Sequence, residues 1–283
     1  MIETTPSDRY FDYCLQPYEP AAPAQGKWRS ESLLWHALEV AGLRGGRVET
    51  SLRRVQAHAG RDLTVWGVKH DRGRLFLELY FYDPRKEDPR VAASSVIAAL
   101  EGTLRFAPSV RESIPYFMWS FDLDAETERS GRVDALHLYL AAREIQAGRS
   151  YTLRGGGAIE LVNHYRFLHP QREIDELLHG IESSVFVDFE RVPLSRVLLP
   201  QLFACNRICV AKKRAADGIY YSGLSIDQLR FFLERFGWPG AIRSLVERER
   251  ARLDHLRYDV GIDYRMLEDG SLESTKTSFY GTL

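Results

Sequence analysis

Residues 62–83, DLTVWGVKHDRGRLFLELYFYD, decide the fold. Two alternating runs, 62–69 and 74–83, flank the turn Asp71-Arg72-Gly73, which is the pattern of an antiparallel hairpin. In the second run Leu75, Leu77, Leu79 and Phe81 share one face, and Arg74, Phe76, Glu78, Tyr80 and Tyr82 share the other, because successive strand side chains point to opposite sides. The aliphatic face suits helix packing. The other face mixes rings with charges, and a solvated face rarely carries so many aromatics.

Outward from this hairpin the same unit recurs. An irregular arm, 1–27, carries Pro6, Pro17, Pro20 and Pro23. Leu33, Leu34, Ala37 and Val40 then stand at helical spacing up to Gly42, and the first hairpin follows. A helix over 91–104 leads to a second pair of strands, 116–124 and 133–141, around Ser130-Gly131. The third pair is Tyr151 to Leu153 with 158–168, around Gly155-Gly156-Gly157, before a helix over 173–184. A fourth pair, 207–213 and 218–223, precedes a helix begun by the N-cap Ser225 and broken at Gly237 and Pro239. A helix over 241–253 leads to the fifth pair, 257–267 and 271–281, around Asp269-Gly270. The fold class is therefore α+β. Residues 28–283 are expected to form a single domain of five helix/β-hairpin repeats, whose ten antiparallel strands close into a barrel surrounded by helices.

Composition bounds the function. With 45% hydrophobic residues the chain has material for a sizeable core. Its 38 Lys plus Arg against 39 Asp plus Glu leave a formal net charge of -1, which argues against a nucleic-acid partner or an anionic membrane surface. No apolar run of membrane-spanning length and no signal-peptide pattern occurs, so a cytoplasmic location is expected. Cys14, Cys205 and Cys209 suggest neither a disulfide framework nor a zinc site. His164, His169 and His255 fall on different elements without a carboxylate pattern, so no metal ligand is assigned. The triple-glycine run lacks the Lys-Ser/Thr and following helix of a phosphate loop.

Repeated helix and hairpin units around a polar, aromatic interior resemble the αββα (ABBA) barrel of soluble aromatic prenyltransferases. The wording is most similar to the cyanobactin-type peptide prenyltransferases in four segments: LYFYD (79–83), SFDLDAETERSGRVDALHLYL (120–140), LFACNRICVAKKRAADGIYYSGL (202–224) and KTSFYG (276–281). The likeness spans about 46–283 and rests on the order of hairpins, with no single diagnostic motif. It implies transfer of a dimethylallyl or longer group from an isoprenyl diphosphate to a side chain of a linear or macrocyclic ribosomal peptide. It also implies magnesium accompanying the diphosphate. The chain has no Asp-Asp-x-x-Asp pair, so the diphosphate must be met mainly by basic side chains and tyrosine hydroxyls.

Prenyl transfer needs cations for the leaving diphosphate, π faces for the allyl cation and a base for the acceptor proton. Alternation assigns Arg74, His137, Tyr139, Lys212, Tyr220, Lys276 and Tyr280 to the diphosphate. A one-residue slip exchanges Lys212 for Lys213 and Tyr220 for Tyr221. Trp66, Phe76, Tyr80, Trp119 and His164 are assigned to the prenyl and acceptor pocket. Asp62, placed like the acidic residue of the family's first hairpin, and Glu78 are the candidate bases, with pKa values raised by an aromatic chamber. Two interior carboxylates also suit a cationic Arg or His acceptor. The alternatives left open are a small aromatic acceptor and a barrel that binds an isoprenoid or other apolar ligand without catalysis.

Overall fold

A computed structural model describes residues 1–141 and 147–283. In chain order the elements are α1 (Glu31–Val40), α2 (Arg47–Ala59), β1 (Thr64–Asp71), β2 (Arg74–Tyr82), α3 (Ala93–Ala99), β3 (Arg105–Phe106), β4 (Met118–Leu123), α4 (Ala125–Ser130), β5 (Arg132–Val133), β6 (Ala135–Ala141), β7 (Ala147–Arg154), β8 (Ile159–Leu168), α5 (Ile174–Glu182), β9 (Arg207–Lys213), β10 (Asp217–Leu224), α6 (Ile226–Arg235), α7 (Gly240–Arg248), α8 (Arg250–Leu253), β11 (Tyr258–Met266) and β12 (Leu272–Thr282). Ten strands close into one antiparallel barrel in the order β1-β12-β11-β10-β9-β8-β7-β6-β4-β2. The short β3 and β5 form a separate parallel pair beside it. The five-hairpin barrel read from alternation is thus the observed fold.

Because neighbours are antiparallel, the hairpin turns gather at one rim, here called the mouth. The longer crossovers, which carry α3, α5 and α6–α8, return at the other rim, the floor. Among the described residues no helix is long and apolar enough to cross a membrane.

The helix core packs on the outer strand faces. Leu77, Leu79, Phe81, Phe121, Leu136, Leu138, Ile208, Ile219, Val260 and Phe279 are buried there with Leu34, Leu38, Leu52, Leu229, Phe232 and Leu245 from the helices. Burying each such side chain contributes ~1.5–3 kcal/mol, so the outer face fixes strand register. A slip of one residue would expose this set and bury the charged one.

Local chemistry explains the boundaries. Ser225 and Gln228 form a reciprocal capping box on α6. Asp124 caps α4 by accepting from the Thr127 N–H, and Gly131, at φ 66°, ends it in a left-handed conformation open to glycine. Here the expected polar loop of the second hairpin contains a helix. α2, which the alternating-run reading passes over, buries Val48, Ser51, Leu52, Val55 and Ala59 on one stripe while its other faces are charged. The expected helix over 241–253 is divided, with α7 ending at Arg248 and α8 starting at Arg250.

The arm makes no helix. Glu3 bridges to Trp28 and Phe11 to Pro17, and the turn between Phe11 and Pro17 enters the floor of the barrel.

Candidate functional site

Register defines the inner face residue by residue. Gly67 opposes Glu78, and Lys69 opposes Phe76. Glu78 opposes Asp122, while Met118 and Ser120 oppose Tyr139 and His137. On the far side Asn163 opposes Lys213, Tyr165 opposes Ala211, Gly261 opposes both Tyr220 and Ser278, and Asp263 opposes Lys276. These side chains point into the barrel. Tyr139, Tyr165 and Tyr220 are only half-buried although the wall around them is closed and jacketed, so their remaining surface faces a lumen.

Charges around the lumen fall into two groups. On β9–β12, Asp263 accepts from Lys213 at 2.5 Å and pairs with Lys276 at 3.0 Å. Lys213 also donates to the Tyr220 hydroxyl at 2.6 Å. Two ammoniums share one carboxylate, so this group is net positive. Burial would raise the Asp263 pKa, but Lys213 and Lys276 outweigh it and hold the carboxyl far below the usual range. Burial also pulls Lys213 down to about 8, against the opposing pull of Asp263.

The second group lies on β1, β2, β4 and β6. Lys69 contacts the Glu78 carboxylate and stands 3.1 Å from Asp122. Tyr80 donates to Glu78 at 2.6 Å, and the Ser120 hydroxyl donates to its other oxygen. His137 lies 3.6 Å from Asp122 through Nε2 and 3.1 Å from the Thr152 hydroxyl through Nδ1. Two carboxylates, Glu78 and Asp122, here face one lysine ammonium and the His137 imidazole, so the group is rich in carboxylate. Glu78 corrects an expectation. Burial would raise its pKa, but Lys69 is stronger and the net shift is downward, so the residue is an ionised carboxylate rather than one poised near neutrality. Burial also opposes the charge on Lys69, yet Asp122 and Glu78 raise its pKa well above the ordinary value.

Between and below these groups lie rings. Tyr80, Tyr280, Met118 and Val65 form an apolar cluster with Tyr13, Leu15, Tyr82, Phe117, Tyr139 and Tyr220, distinct from the helix core. Tyr80 sits 6.0 Å from Tyr280 and 6.4 Å from Tyr139 between ring centroids. Burial raises the pKa of each of these three phenols, so they remain hydroxyl donors. Gly67 and Gly261 make this tier possible. A Cβ on Gly67 would come within 2.7 Å of the Tyr280 ring, and one on Gly261 within 2.5 Å of the Tyr220 ring.

Of the residues assigned from sequence, Glu78, His137, Tyr139, Tyr220, Lys276, Tyr280 and Tyr80 face the lumen together. Phe76 stands nearer the mouth with the Lys69 ammonium 5.3 Å from its ring. The others lie elsewhere. Trp66 and Trp119 face outward. Trp66 donates to the Thr282 carbonyl and meets Phe279 edge-on, and Trp119 stacks on Phe81 at 4.5 Å and donates to the Val91 carbonyl. Lys212 is also outward, paired with buried Asp217 at 2.8 Å, and its neighbour Lys213 takes the inner position. His164 is exposed on the outer face of β8, and Glu160 pairs with Arg214 near the mouth. The Arg74 side chain is 81% exposed beside Asp71 at the first turn. Asp62, at φ 68°, precedes β1 and lines a crevice of about 30 Å³ with Asp8, Arg61 and Leu283, outside the lumen.

Lys69, Asp122, Asp263 and Tyr165 were missed, and Lys213 was named only as the one-residue slip from Lys212. Alternation is compatible with an inner position for each, but a lone Asp or Lys in a strand gives no sign that two other strands bring it partners. Larger depressions, of about 440 Å³ between α6 and α7 and about 460 Å³ at 83–90, touch none of these residues.

Magnesium, implied by the resemblance, would find its nearest set of ligand atoms among the described residues in Glu78, Asp122 and His137, which lie within 4.8 Å of one another. The fit fails. Lys69 sits against both carboxylates, and Glu78 already accepts from Tyr80 and Ser120. Magnesium demands near-octahedral oxygen ligands at ~2.1 Å, and a fixed ammonium occupies that position.

No protein-family model matches the chain, and no curated protein matches it. Among solved structures, the crystal structure of AnaPT from Neosartorya fischeri matches with a TM-score of 0.53 at 10% identity, covering 89% of this chain and 92% of that one. The ten-stranded αββα barrel is the shared fold. At so low an identity, the fold is what the likeness establishes.

Proposed function

We propose that this chain is a prenyltransferase that moves an allylic group from an isoprenoid diphosphate to an acceptor held in the barrel lumen. The observation that carries the reading is the division of the lumen into a group of two ammoniums sharing one carboxylate on β9–β12 and a carboxylate-rich group on β1–β6, with a tier of tyrosines between and below them. A diphosphate leaving group belongs beside Lys213 and Lys276, with the Tyr220 hydroxyl in reach. Binding an anion there restores full charge to Lys213.

The chemistry then follows. The carbon–oxygen bond of the donor breaks, and the electron pair leaves with the diphosphate. The allyl cation forms against the faces of Tyr80, Tyr139, Tyr220 and Tyr280, which stabilise it and limit the approach of water. The acceptor atom forms the new bond to the allylic carbon and releases its proton to the Glu78 carboxylate. Glu78 is a weak base while Lys69 holds it, so it serves best when the acceptor has become acidic through bond formation.

The acceptor reading is finer. Lys69 fills the position between Glu78 and Asp122, but the Asp122 side chain is 42% exposed and keeps lone pairs for a guanidinium or imidazolium, which supports an Arg or His side chain of a peptide. A cationic acceptor also offsets a trianionic donor in a lumen whose own charges nearly cancel. The resemblance to cyanobactin-type enzymes favours a peptide as the acceptor.

Incubation with dimethylallyl diphosphate and a panel of free phenols, free indoles and cyclic and linear peptides containing Arg, His, Tyr or Trp, followed by mass spectrometry, tests the proposal. One added isoprene mass on Arg or His is expected. An adduct on free phenols or indoles alone replaces the peptide with a small aromatic acceptor. Donor binding with no adduct on any acceptor leaves a non-catalytic binder.

A further inference from the structure

The turn 12–16 of the N-terminal arm is built into the lumen rather than laid over it. Asp12 Oδ1 accepts from the N–H groups of Cys14 and Gln16 at 2.8 and 2.9 Å, which closes the turn. The turn is anchored to the barrel through backbone atoms of Tyr13. Its N–H donates to Asp259 on β11 at 2.8 Å, and its carbonyl accepts from the Tyr82 hydroxyl on β2 at 2.6 Å. The Tyr13 ring therefore sits on a held backbone between β12 and β8, 5.3 Å from Tyr280 and 6.2 Å from Phe167 between centroids. Tyr13 and Leu15 join the inner apolar cluster and have no place in the helix core.

This fixes a depth. Lys276 and Tyr280 both face the lumen on β12, four residues apart. At ~3.3 Å per residue and a strand tilt of about 40°, that separation is ~10 Å along the barrel axis. The side chains of Lys276 above and Tyr13 below both reduce it. On that reckoning the length left beneath a diphosphate at Lys213 and Lys276 matches one isoprene unit rather than two. A second unit, comparable in length to a tyrosine side chain, meets the Tyr13 ring.

We propose that the arm is the floor of the donor site and that Tyr13 restricts the donor to a single five-carbon unit. This rests on the prenyl-transfer reading above. It makes Tyr13 a specificity-determining residue, and it gives the arm, which the sequence marks only as irregular, a part in substrate choice.

The test compares dimethylallyl and geranyl diphosphates on the full chain as wild type, Tyr13→Phe, Tyr13→Val and Tyr13→Ala. Two readouts are used: kcat/KM for transfer, and dissociation constants by calorimetry. The wild type is expected to prefer the five-carbon donor by at least tenfold. Tyr13→Ala and Tyr13→Val, whose backbone anchors do not depend on the ring, shift the ratio at least tenfold toward the ten-carbon donor, and Tyr13→Phe keeps the wild-type ratio. Two smaller residues guard against one that fails to fold.

An unchanged ratio in whichever of the two folds, or a wild type that takes geranyl diphosphate equally well, overturns the proposal. Should the wild type bind both diphosphates but transfer neither, the transferase reading fails, and the floor is then judged on the binding ratio alone.

Discussion

Replacing Asp263 with Asn removes the counter-ion that Lys213 and Lys276 share, at 2.5 and 3.0 Å. Removing one partner of a buried ion pair costs about 3–5 kcal/mol. The Lys276 side chain is 30% exposed and rehydrates, which brings the cost to the bottom of that range or just below it, ~2–3 kcal/mol. For a chain of this size that lowers the Tm by roughly 4–12 °C. The loss runs with pH in a defined direction. Asp263 has a depressed pKa, so its stabilisation is present above the ordinary carboxylate value and fades as the pH falls through that value and below it. The difference in Tm between wild type and Asp263→Asn therefore shrinks toward pH 3. Affinity moves the other way. A carboxylate beside a bound anion opposes it by about 2–3 kcal/mol at ~6 Å and an effective dielectric constant of about 20. Part of that gain is lost because Lys213, already at about 8, holds its proton less firmly without Asp263. We expect inorganic diphosphate to bind Asp263→Asn about tenfold more tightly at pH 7, equivalent to ~1.4 kcal/mol. Calorimetry with diphosphate and thermal unfolding from pH 3 to 8 measure both effects. A variant that is destabilised yet binds diphosphate no better refutes the assignment of this group as the anion site.

Glu78→Gln is expected to retain donor binding within about threefold and to reduce kcat by about 100-fold or more, the usual scale of a lost general base; single-turnover mass spectrometry with the best acceptor separates the two. Lys69→Ala leaves Glu78, Asp122 and His137 without their ammonium, so it should lose about 3–5 kcal/mol in urea unfolding and recover part of it with millimolar Mn²⁺. Wild type is expected to show no such metal dependence, and equal Mn²⁺ responses in the two proteins contradict the view that Lys69 occupies the cation position. Asp259 is pushed up to about 7 by burial and by Asp12, and a raised acid stabilises the folded state only while protonated. The wild-type Tm should therefore decline by at least ~3 °C between pH 5 and 8, about 1 kcal/mol, and Asp12→Asn should flatten that decline. Trp119→Phe, on the outer face, should cost ~1–3 kcal/mol for the lost packing and hydrogen bond while kcat/KM stays unchanged.

The hairpins were legible because strand alternation and turn residues act over a few positions. The run 74–83 shows two faces, and Asp71-Arg72-Gly73 and Asp269-Gly270 show where the chain reverses. α2 was harder to see, since its stripe of Val48, Leu52 and Val55 is diluted by charged neighbours. The inner residues were legible where a strand has an unambiguous aliphatic side, as for Glu78 and His137, and for Lys276 where Thr275, Thr277 and Phe279 share the opposite face. They were misplaced where the pattern breaks down. In β9 two lysines stand side by side, and only pairing with β8 and β10 sends Lys213 inward and Lys212 to Asp217. Trp66 and Trp119 were expected in the pocket because large rings suit either face. The outer positions opposite Leu79 and Phe81 place them in the helix core.

By itself the sequence determined the repeated unit, the number of hairpins and the chemical contrast between strand faces, because these arise from contacts between residues close in the chain. Tertiary structure decided which charges meet. Lys69 acquires Glu78 and Asp122 from two further strands, and Asp263 on β11 receives Lys213 from β9 and Lys276 from β12. It also brought Tyr13, more than 260 residues from Tyr280, to the bottom of the lumen. The physical reason is closure. Only when ten strands complete the barrel does the polar face lose its solvent and each charge take its partner from across the lumen, and those partners set the pKa values and the depth of the site.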